Sequence, residues 1–381
     1  MTMSADVVIA GGGPAGAALA VLAGRAGFSV SLFDSARFPR DKACGEGLMP
    51  AGAAALDRLG LAAATGGVPI EGIRYRGFGV TAETAFPVPR GSSGPTYGRG
   101  QRRLVFDQAL WQAARTTANV RVFEGTPVDG VVFRRGRAVA LQAGGQTVAG
   151  GVIVGADGAH SAVRRAAGLD RADPARPRWG LRMHFRLAAD QPPPTFVEVF
   201  VGERHELYLT PLPAREVLVA VLSEPGGGDA PAADVLRAFI ERHPALAARL
   251  RGAQPVSAPR GRAPLSASAR AGVAPGLVLL GDAAGFTDPL TGGGMAQALL
   301  SAELLARYLP RALAQRDDEW LWRFDRRRRA LLRDYVWLTR ALVQAAGRPL
   351  LARATLRGMR AFPGAMRHLV GVAAGTRRLL F

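Results

Sequence analysis

The chain has 381 residues, 48% of them hydrophobic, enough for a large core, so its 48 glycines and 26 prolines do not mark disorder. The formal net charge is +19, yet the cations are spread along the chain and accompany no nucleic-acid recognition module. Cys44 is the only cysteine, which excludes intramolecular disulfides and cysteine-cluster metal sites, and no run of about 18 apolar residues is present to span a bilayer.

The chain enters a strand at once, with no secretory h-region, so a cytoplasmic location is expected. Val7, Val8, Ile9 and Ala10 form the apolar run of a buried parallel strand, which stops at three glycines. Gly11, Gly13 and Gly16 fit G-x-G-x-x-G, with Pro14 and Ala15 between the last two. The first glycine permits a tight turn, the second lets a pyrophosphate approach the backbone, and the third lets the next helix lie on the strand. A helix over residues 17–26 points its positive dipole end at that pyrophosphate, and Gly27 ends it. The next strand, 29–33, runs into Asp34, whose carboxylate suits a ribose diol and repels a 2′-phosphate. The stretch predicts an unphosphorylated dinucleotide, FAD or NAD.

Residues 35–50 read as a polar loop that runs over the cofactor, and 51–61 as a helix. Short alternating segments at 73–76 and 86–88 suggest strands of a second sheet, followed by a loop at 91–100. Residues 101–116 form an amphipathic helix whose start offers Arg102 or Arg103 as a phosphate clamp. Strands are expected at 120–124 and 130–133, a hairpin at 139–150 around Gly144-Gly145, and a buried strand at 151–155 leading to Asp157-Gly158 and a helix at 162–168.

Four strands of one antiparallel sheet follow, at 179–187, 195–201, 206–211 and 216–223; residues 232–250 are helical. Residues 276–281 return to the buried-strand type, and a glycine-rich loop leads to a helix at 295–309. Residues 319–381 read as helical and arginine-rich, with either a solvated basic face or a face for anionic membrane. This order implies interwoven domains: a nucleotide-binding domain over 1–72, 100–170 and 271–310, a sheet domain over 73–99 and 171–270, and a basic helical region over 311–381.

Three separated stretches share one pattern. GGGPAG with Asp34, GADGAHSAVRR at 155–165, and GLVLLGDAAGFTDPLTGGGMAQALLSAELLA at 276–306 resemble the FAD-binding motifs of the p-hydroxybenzoate-hydroxylase-like flavoproteins. Within these, the chain most resembles the geranylgeranyl-reductase-like branch and its monooxygenase relatives. The resemblance implies an α/β protein, a Rossmann-like FAD-binding fold interleaved with an antiparallel substrate sheet, plus C-terminal helices. It implies FAD held non-covalently, with Asp157 and Gly158 between cofactor and sheet, Arg103 on the phosphate or ribityl chain, and Val128 on the adenine side. Gly281 and Asp282 stand at a strand end, where the carboxylate can accept from a ribityl hydroxyl. Gly292, Gly293, Gly294 and Met295 then offer backbone amides to the N1/C2=O edge of the flavin.

Lys42-Ala43-Cys44-Gly45 resembles the K-x-C-G loop of the reductase branch, which places Cys44 and Glu46 as candidate catalytic residues beside the cofactor. Glu46, His160, His184 and Asp288 are available as acids or bases. Gly285 stands where aromatic hydroxylases carry a histidine, and the single lysine argues against a halogenase. Phe185, Phe196, Val199, Tyr208, Leu218 and Val219 are candidate lining for an apolar substrate cavity. The expected activity is that of an FAD-dependent oxidoreductase with NADPH or NADH as transient reductant.

Two chemistries compete. The sequence favours a monooxygenase that hydroxylates or epoxidises a lipophilic aromatic, polyketide or isoprenoid substrate through a flavin C4a-hydroperoxide. The other is saturation of an isoprenoid alkene, and a non-catalytic flavin-binding partner protein is a third reading. No nucleic acid, metal or obligate protein partner is expected, and the basic helices suggest peripheral membrane association.

Overall fold

The computed structural model describes residues 3–89, 91, 93–171, 178–224, 230–315 and 317–379. Ser92 of the predicted 91–100 loop, and Leu380 and Phe381 of the predicted helical stretch, lie outside them.

The strand Met3–Ala10 lies in a mainly parallel sheet, and its second half, Val7 to Ala10, is fully buried because helices cover both faces. It pairs in parallel with Val30–Phe33 on one side and Gln146–Gly155 on the other, so that Val8 faces both Ser31 and Ile153. Val120–Phe123 and Leu277–Leu279 continue the parallel ladder outward. The chain leaves the first strand in one direction and returns later on its other side. Its carboxyl end is therefore a switch point with a crevice for ligand.

The helices in chain order are α1 (Pro14–Arg25), α2 (Pro50–Arg58), α3 (Arg103–Thr116), α4 (Ala162–Ala166), α5 (Ala232–Glu241), α6 (Pro244–Arg249), α7 (Gly294–Gln315), α8 (Glu319–Ala346), α9 (Pro349–Ala361) and α10 (Pro363–Ala373). α1 packs on α3 and α7, and α8 packs on α7.

The predicted hairpin and the strand after it share one continuous strand, Gln146–Gly155, which turns back from Arg137–Ala143 at Gly144-Gly145. Both turn glycines have positive φ, 55° and 75°, as this tight connection requires. Gly150-Gly151 looks like a break in sequence but is a packing device: a Cβ on Gly150 would press on Val8 and Ile153.

The second sheet runs Gln254–Pro255, Trp179–Arg186, Glu216–Ser223, His205–Pro211, Phe196–Val201, Gly72–Gly77, Val80–Ala85. The four long strands are antiparallel as expected, but Phe196–Val201 and Gly72–Gly77 run parallel, so the sheet is mixed. The expected strand at 86–88 lies outside the sheet, which ends at Ala85, and the expected 91–100 loop ends in a short strand, Gly98–Gly100. The helical stretch at 232–250 breaks at His243, because Pro244 lacks an amide and holds the residue before it out of helical geometry. Pro349 and Pro363 divide the C-terminal stretch into three helices in the same way. Among the described residues no helix is long and apolar enough to cross a membrane.

Candidate cofactor and substrate site

Three parallel strands each deliver an aspartate to the wall of one cavity of about 610 Å³. Asp34 follows Val30–Phe33, Asp157 follows Gln146–Gly155, and Asp282 follows Leu277–Leu279. The glycine turn lies between them. The Gly11 amide donates to Phe33 O at 2.7 Å, and the Ala156 amide to Ala10 O at 2.7 Å, so the three strand ends are tied together. Gly11 has φ +100°, and a Cβ there would lie 2.7 Å from Asp157 Cα and overlap the Ala156 carbonyl. Gly13, Pro14 and Ala15 line the cavity. Gly16 does not; a Cβ on it would overlap the Gly11 carbonyl, so its task is helix-on-strand packing.

Asp34 is fixed by the amides of Gly12 at 2.7 Å and Ala36 at 2.8 Å. Asp157 accepts from the Val163 amide at 3.1 Å, while its Oδ1 is buried with no hydrogen-bond partner. Such an orphan acceptor on a cavity wall fits a ligand that carries donors. The cations point the same way. Burial pushes the Lys42 ammonium down, Arg103, Arg40 and Arg262 push it further, and Asp282 opposes them. The Lys42 ammonium makes no hydrogen bond among the described residues, and its Nζ sits 3.2 Å from where a Gly158 Cβ would be. Arg262 donates to Asp282 at 3.2 Å, yet its Nη2 is buried and unpartnered. Crowded cations and a bare glycine turn fit a pyrophosphate, and the strand-end carboxylates fit ribose and ribityl hydroxyls.

Arg103 lines the cavity, as a residue in contact with the cofactor must. Its guanidinium is bidentate to Asp107, at 2.8 Å on both bonds, and touches the Cys44 sulfur, so Asp107 and Cys44 hold it in place. Arg40, which also pairs with Asp107 at 2.9 Å, is the cation nearest Gly13. The R-x-x-x-D spacing within α3 was a legible signal for this, since residues four apart meet on a helix.

The glycines before α7 are also partly engaged. Gly292 donates to Pro289 O at 2.8 Å, and Gly293 to the Tyr335 hydroxyl at 3.1 Å. A Cβ on Gly293 would overlap the Tyr335 ring, and Gly293 does not line the cavity. Gly294 and Met295 do line it, and as first-turn residues their amides have no intrahelical acceptor. Gly281, Gly158 and Val128 also reach the cavity wall.

Lys42, Ala43, Cys44, Gly45 and Glu46 all line the cavity, as a loop running over the cofactor requires. Glu46 is less suited to acid–base work than expected. One oxygen accepts from the Arg103 amide at 2.9 Å and the other meets His184 Nε2 at 2.7 Å, so the side chain braces the start of α3 against the second sheet. The Cys44 sulfur accepts from the Glu46 amide at 3.4 Å. His160 is exposed at the rim.

The apolar end of the cavity is walled by Tyr75, Val199, Tyr208, Leu222, Leu338 and Met359. Of the predicted lining, Val199 and Tyr208 are present; Phe185 and Val219 pack beneath α5 and α6 instead, and Phe196 and Leu218 are likewise off the wall. Alternation failed here because Glu216–Ser223 is buried on both faces, so neither face is polar. The C-terminal helices, which the motifs barely touch, supply Leu338, Leu342, Met359 and Leu369.

Beside this end, Arg178 joins Glu206 and Asp288, the latter at 2.9 Å. Burial pushes the Glu206 carboxyl up to about 7, with Asp288 and Glu224 adding to it and Arg178 opposing. The folded pKa lies above the unfolded value of 4.5, so the folded state holds the extra proton between pH 4.5 and 7 and loses stability as pH rises through that window. The expected loss is on the order of 3 kcal/mol. Urea midpoints at pH 5 and pH 8 should differ accordingly for the native chain and much less for Glu206→Gln; equal shifts in both would remove Glu206 as the cause.

A glycine turn at a sheet's switch point, strand-end carboxylates and a cationic cavity define a dinucleotide-dependent oxidoreductase. Residues 4–339 match the FAD binding domain family, and the chain belongs to it. It is an FAD-dependent oxidoreductase of the p-hydroxybenzoate-hydroxylase-like superfamily. It is 30% identical over 326 residues to a menaquinone reductase of Mycolicibacterium smegmatis, covering 81% of this chain and 77% of that one. It is 30% identical over 323 residues to a squalene epoxidase of Aspergillus fumigatus, covering 77% of this chain and 64% of that one. A flavoprotein/dehydrogenase structure from Cytophaga hutchinsonii superposes with a TM-score of 0.84 at 23% identity, covering 97% and 92% of the two chains.

Proposed function

We propose that this enzyme saturates a carbon–carbon double bond in a lipophilic, isoprenoid-bearing substrate, with NADPH or NADH as the source of electrons. The observation that carries this reading is Tyr75. Its phenol lies in the apolar cavity wall, burial pushes it up to about 12, and it has no hydrogen-bond partner among the described residues. Bound FAD, once reduced, supplies a hydride to one alkene carbon, and the other carbon then requires a proton. A phenol that stays protonated at neutral pH can donate that proton and recover it from solvent. Tyr208, close to Tyr75, is engaged with Leu290 O at 3.0 Å and so positions the loop before Gly292 rather than competing as donor.

The likeness to a menaquinone reductase supports a prenylated substrate. The likeness to a squalene epoxidase supports a second reading, oxygenation of an isoprenoid alkene, which is the chemistry the sequence alone favoured. Oxygen transfer places no proton on an alkene carbon, and that distinction provides the test. Tyr75→Phe is expected to slow formation of the saturated product by roughly 100-fold or more while FAD content and flavin reduction by NAD(P)H stay unchanged. An unchanged rate of saturated product would reject Tyr75 as donor, and an oxygenated product in place of the saturated one would favour the oxygenase.

A further inference from the structure

We infer that the outer face of α9, with the turns at its two ends, docks on an anionic lipid bilayer. α9 carries two apolar stripes where a surface helix needs one. The inner stripe, Ala352, Leu356 and Met359, packs on the body and brings Met359 to the cavity wall. The outer stripe is Leu350, Ala354 and Ala361, at helical spacing and exposed, with Leu350 82% accessible, Leu351 46% and Phe362, at the turn into α10, 67%. Single exposed apolar residues are ordinary, but leucines and a phenylalanine gathered on one helix and its turns form a patch.

Arg353, Arg357 and Arg360 form the row beside this stripe, again at helical spacing. None of them pairs with a carboxylate among the described residues, although arginines elsewhere on the surface commonly do. The sequence explains this: no Asp or Glu follows Asp334, whereas arginine recurs as far as Arg378. A cationic row beside an apolar stripe on a helix too polar to cross a bilayer is the arrangement of a helix lying in the lipid interface. The occupant is thus an anionic membrane rather than a folded acidic protein, because the apolar stripe and the unpaired arginines run side by side along one surface helix, as the lipid interface requires. Docked so, the cavity wall stands one helix diameter, about 10 Å, from the lipid. The inference holds for either reaction considered above.

The test is sedimentation of the FAD-loaded full chain with vesicles of phosphatidylcholine, with and without one-third phosphatidylglycerol. Pelleting is expected with the anionic vesicles and weakly with the neutral ones. Because a strongly basic protein adheres to any anionic surface, the deciding variant is Leu350→Ser with Phe362→Ser, which keeps every charge. It should lose affinity at least 10-fold while retaining its flavin absorbance. Arg353→Glu, Arg357→Glu and Arg360→Glu together should abolish pelleting, and a charge-matched set on α3 and around the end of the strand Val128–Arg134, Arg115→Glu, Arg134→Glu and Arg135→Glu, should weaken it only modestly. Undiminished pelleting of the Leu350/Phe362 variant, equal losses in the two arginine sets, or no pelleting of the native chain would each overturn the inference, and none would bear on the Tyr75 test.

Discussion

The Gly11→Ala variant is expected to purify without yellow colour. At φ +100° an alanine pays a conformational penalty of about 1–3 kcal/mol before any contact is counted. Its Cβ would also overlap the Ala156 carbonyl and sit 2.7 Å from Asp157 Cα. These are backbone atoms, and the Ala156 amide is held to Ala10 O, so neither can swing aside as a side chain would. Relief requires prising apart the two central strands at the point where Asp157 and the pyrophosphate turn meet, and FAD affinity should fall by roughly 100-fold or more, the equivalent of about 3 kcal/mol. Gly27→Ala is the control. It has nearly the same φ, +89°, but open space around the added methyl, so it should lose only about 1–2 kcal/mol of stability and keep its flavin. The ratio of flavin to protein absorbance in the two purified variants checks this; equal ratios would mean that the turn does not hold the cofactor.

Glu46→Ala is expected to be the most destabilising single change in the cofactor loop, at about 3–5 kcal/mol. Glu46 is 1% exposed, and removing its carboxylate strips acceptors from the Arg103 amide and from His184 in one step. His184 is held on its other side by Ser257 at 2.8 Å and Arg182 at 3.2 Å, so it cannot turn to find water. Glu46→Gln keeps an acceptor and should lose only about 1–2 kcal/mol. Glu46 also has φ +57°, so Glu46→Gly should be less damaging than Glu46→Ala by about 1 kcal/mol, although glycine packs less well in most buried positions. Urea unfolding of the three variants gives the order; an alanine variant within 1 kcal/mol of the native chain would show that the brace carries no load.

The cofactor end of the site was legible because its residues are tied to local patterns. Asp34, Asp157 and Asp282 each follow a short apolar run, and a buried parallel strand must release its chain at the sheet's carboxyl edge. The substrate end was not. Tyr75 lies between Arg74 and Arg76, an alternation that announces a strand but not which face lines the cavity. Tyr335, Leu338 and Met359 come from helices beyond the last motif, and only the return of α8 across the glycine loop brings them in. Arg40 and Arg103 share Asp107; the Arg103 pairing could be read from its spacing in α3, whereas the approach of Arg40 from the cofactor loop could not.

The most direct measurement is a single turnover without oxygen. The FAD enzyme, reduced anaerobically, is mixed with a lipid bearing an unsaturated isoprenoid chain, and flavin absorbance and product mass are followed together. Alkene reduction predicts that the flavin reoxidises as substrate is added and that the chain gains two mass units, a gain that persists after any quinol is reoxidised in air. Reduced flavin that persists until oxygen is admitted, with a product heavier by one oxygen atom, would contradict it.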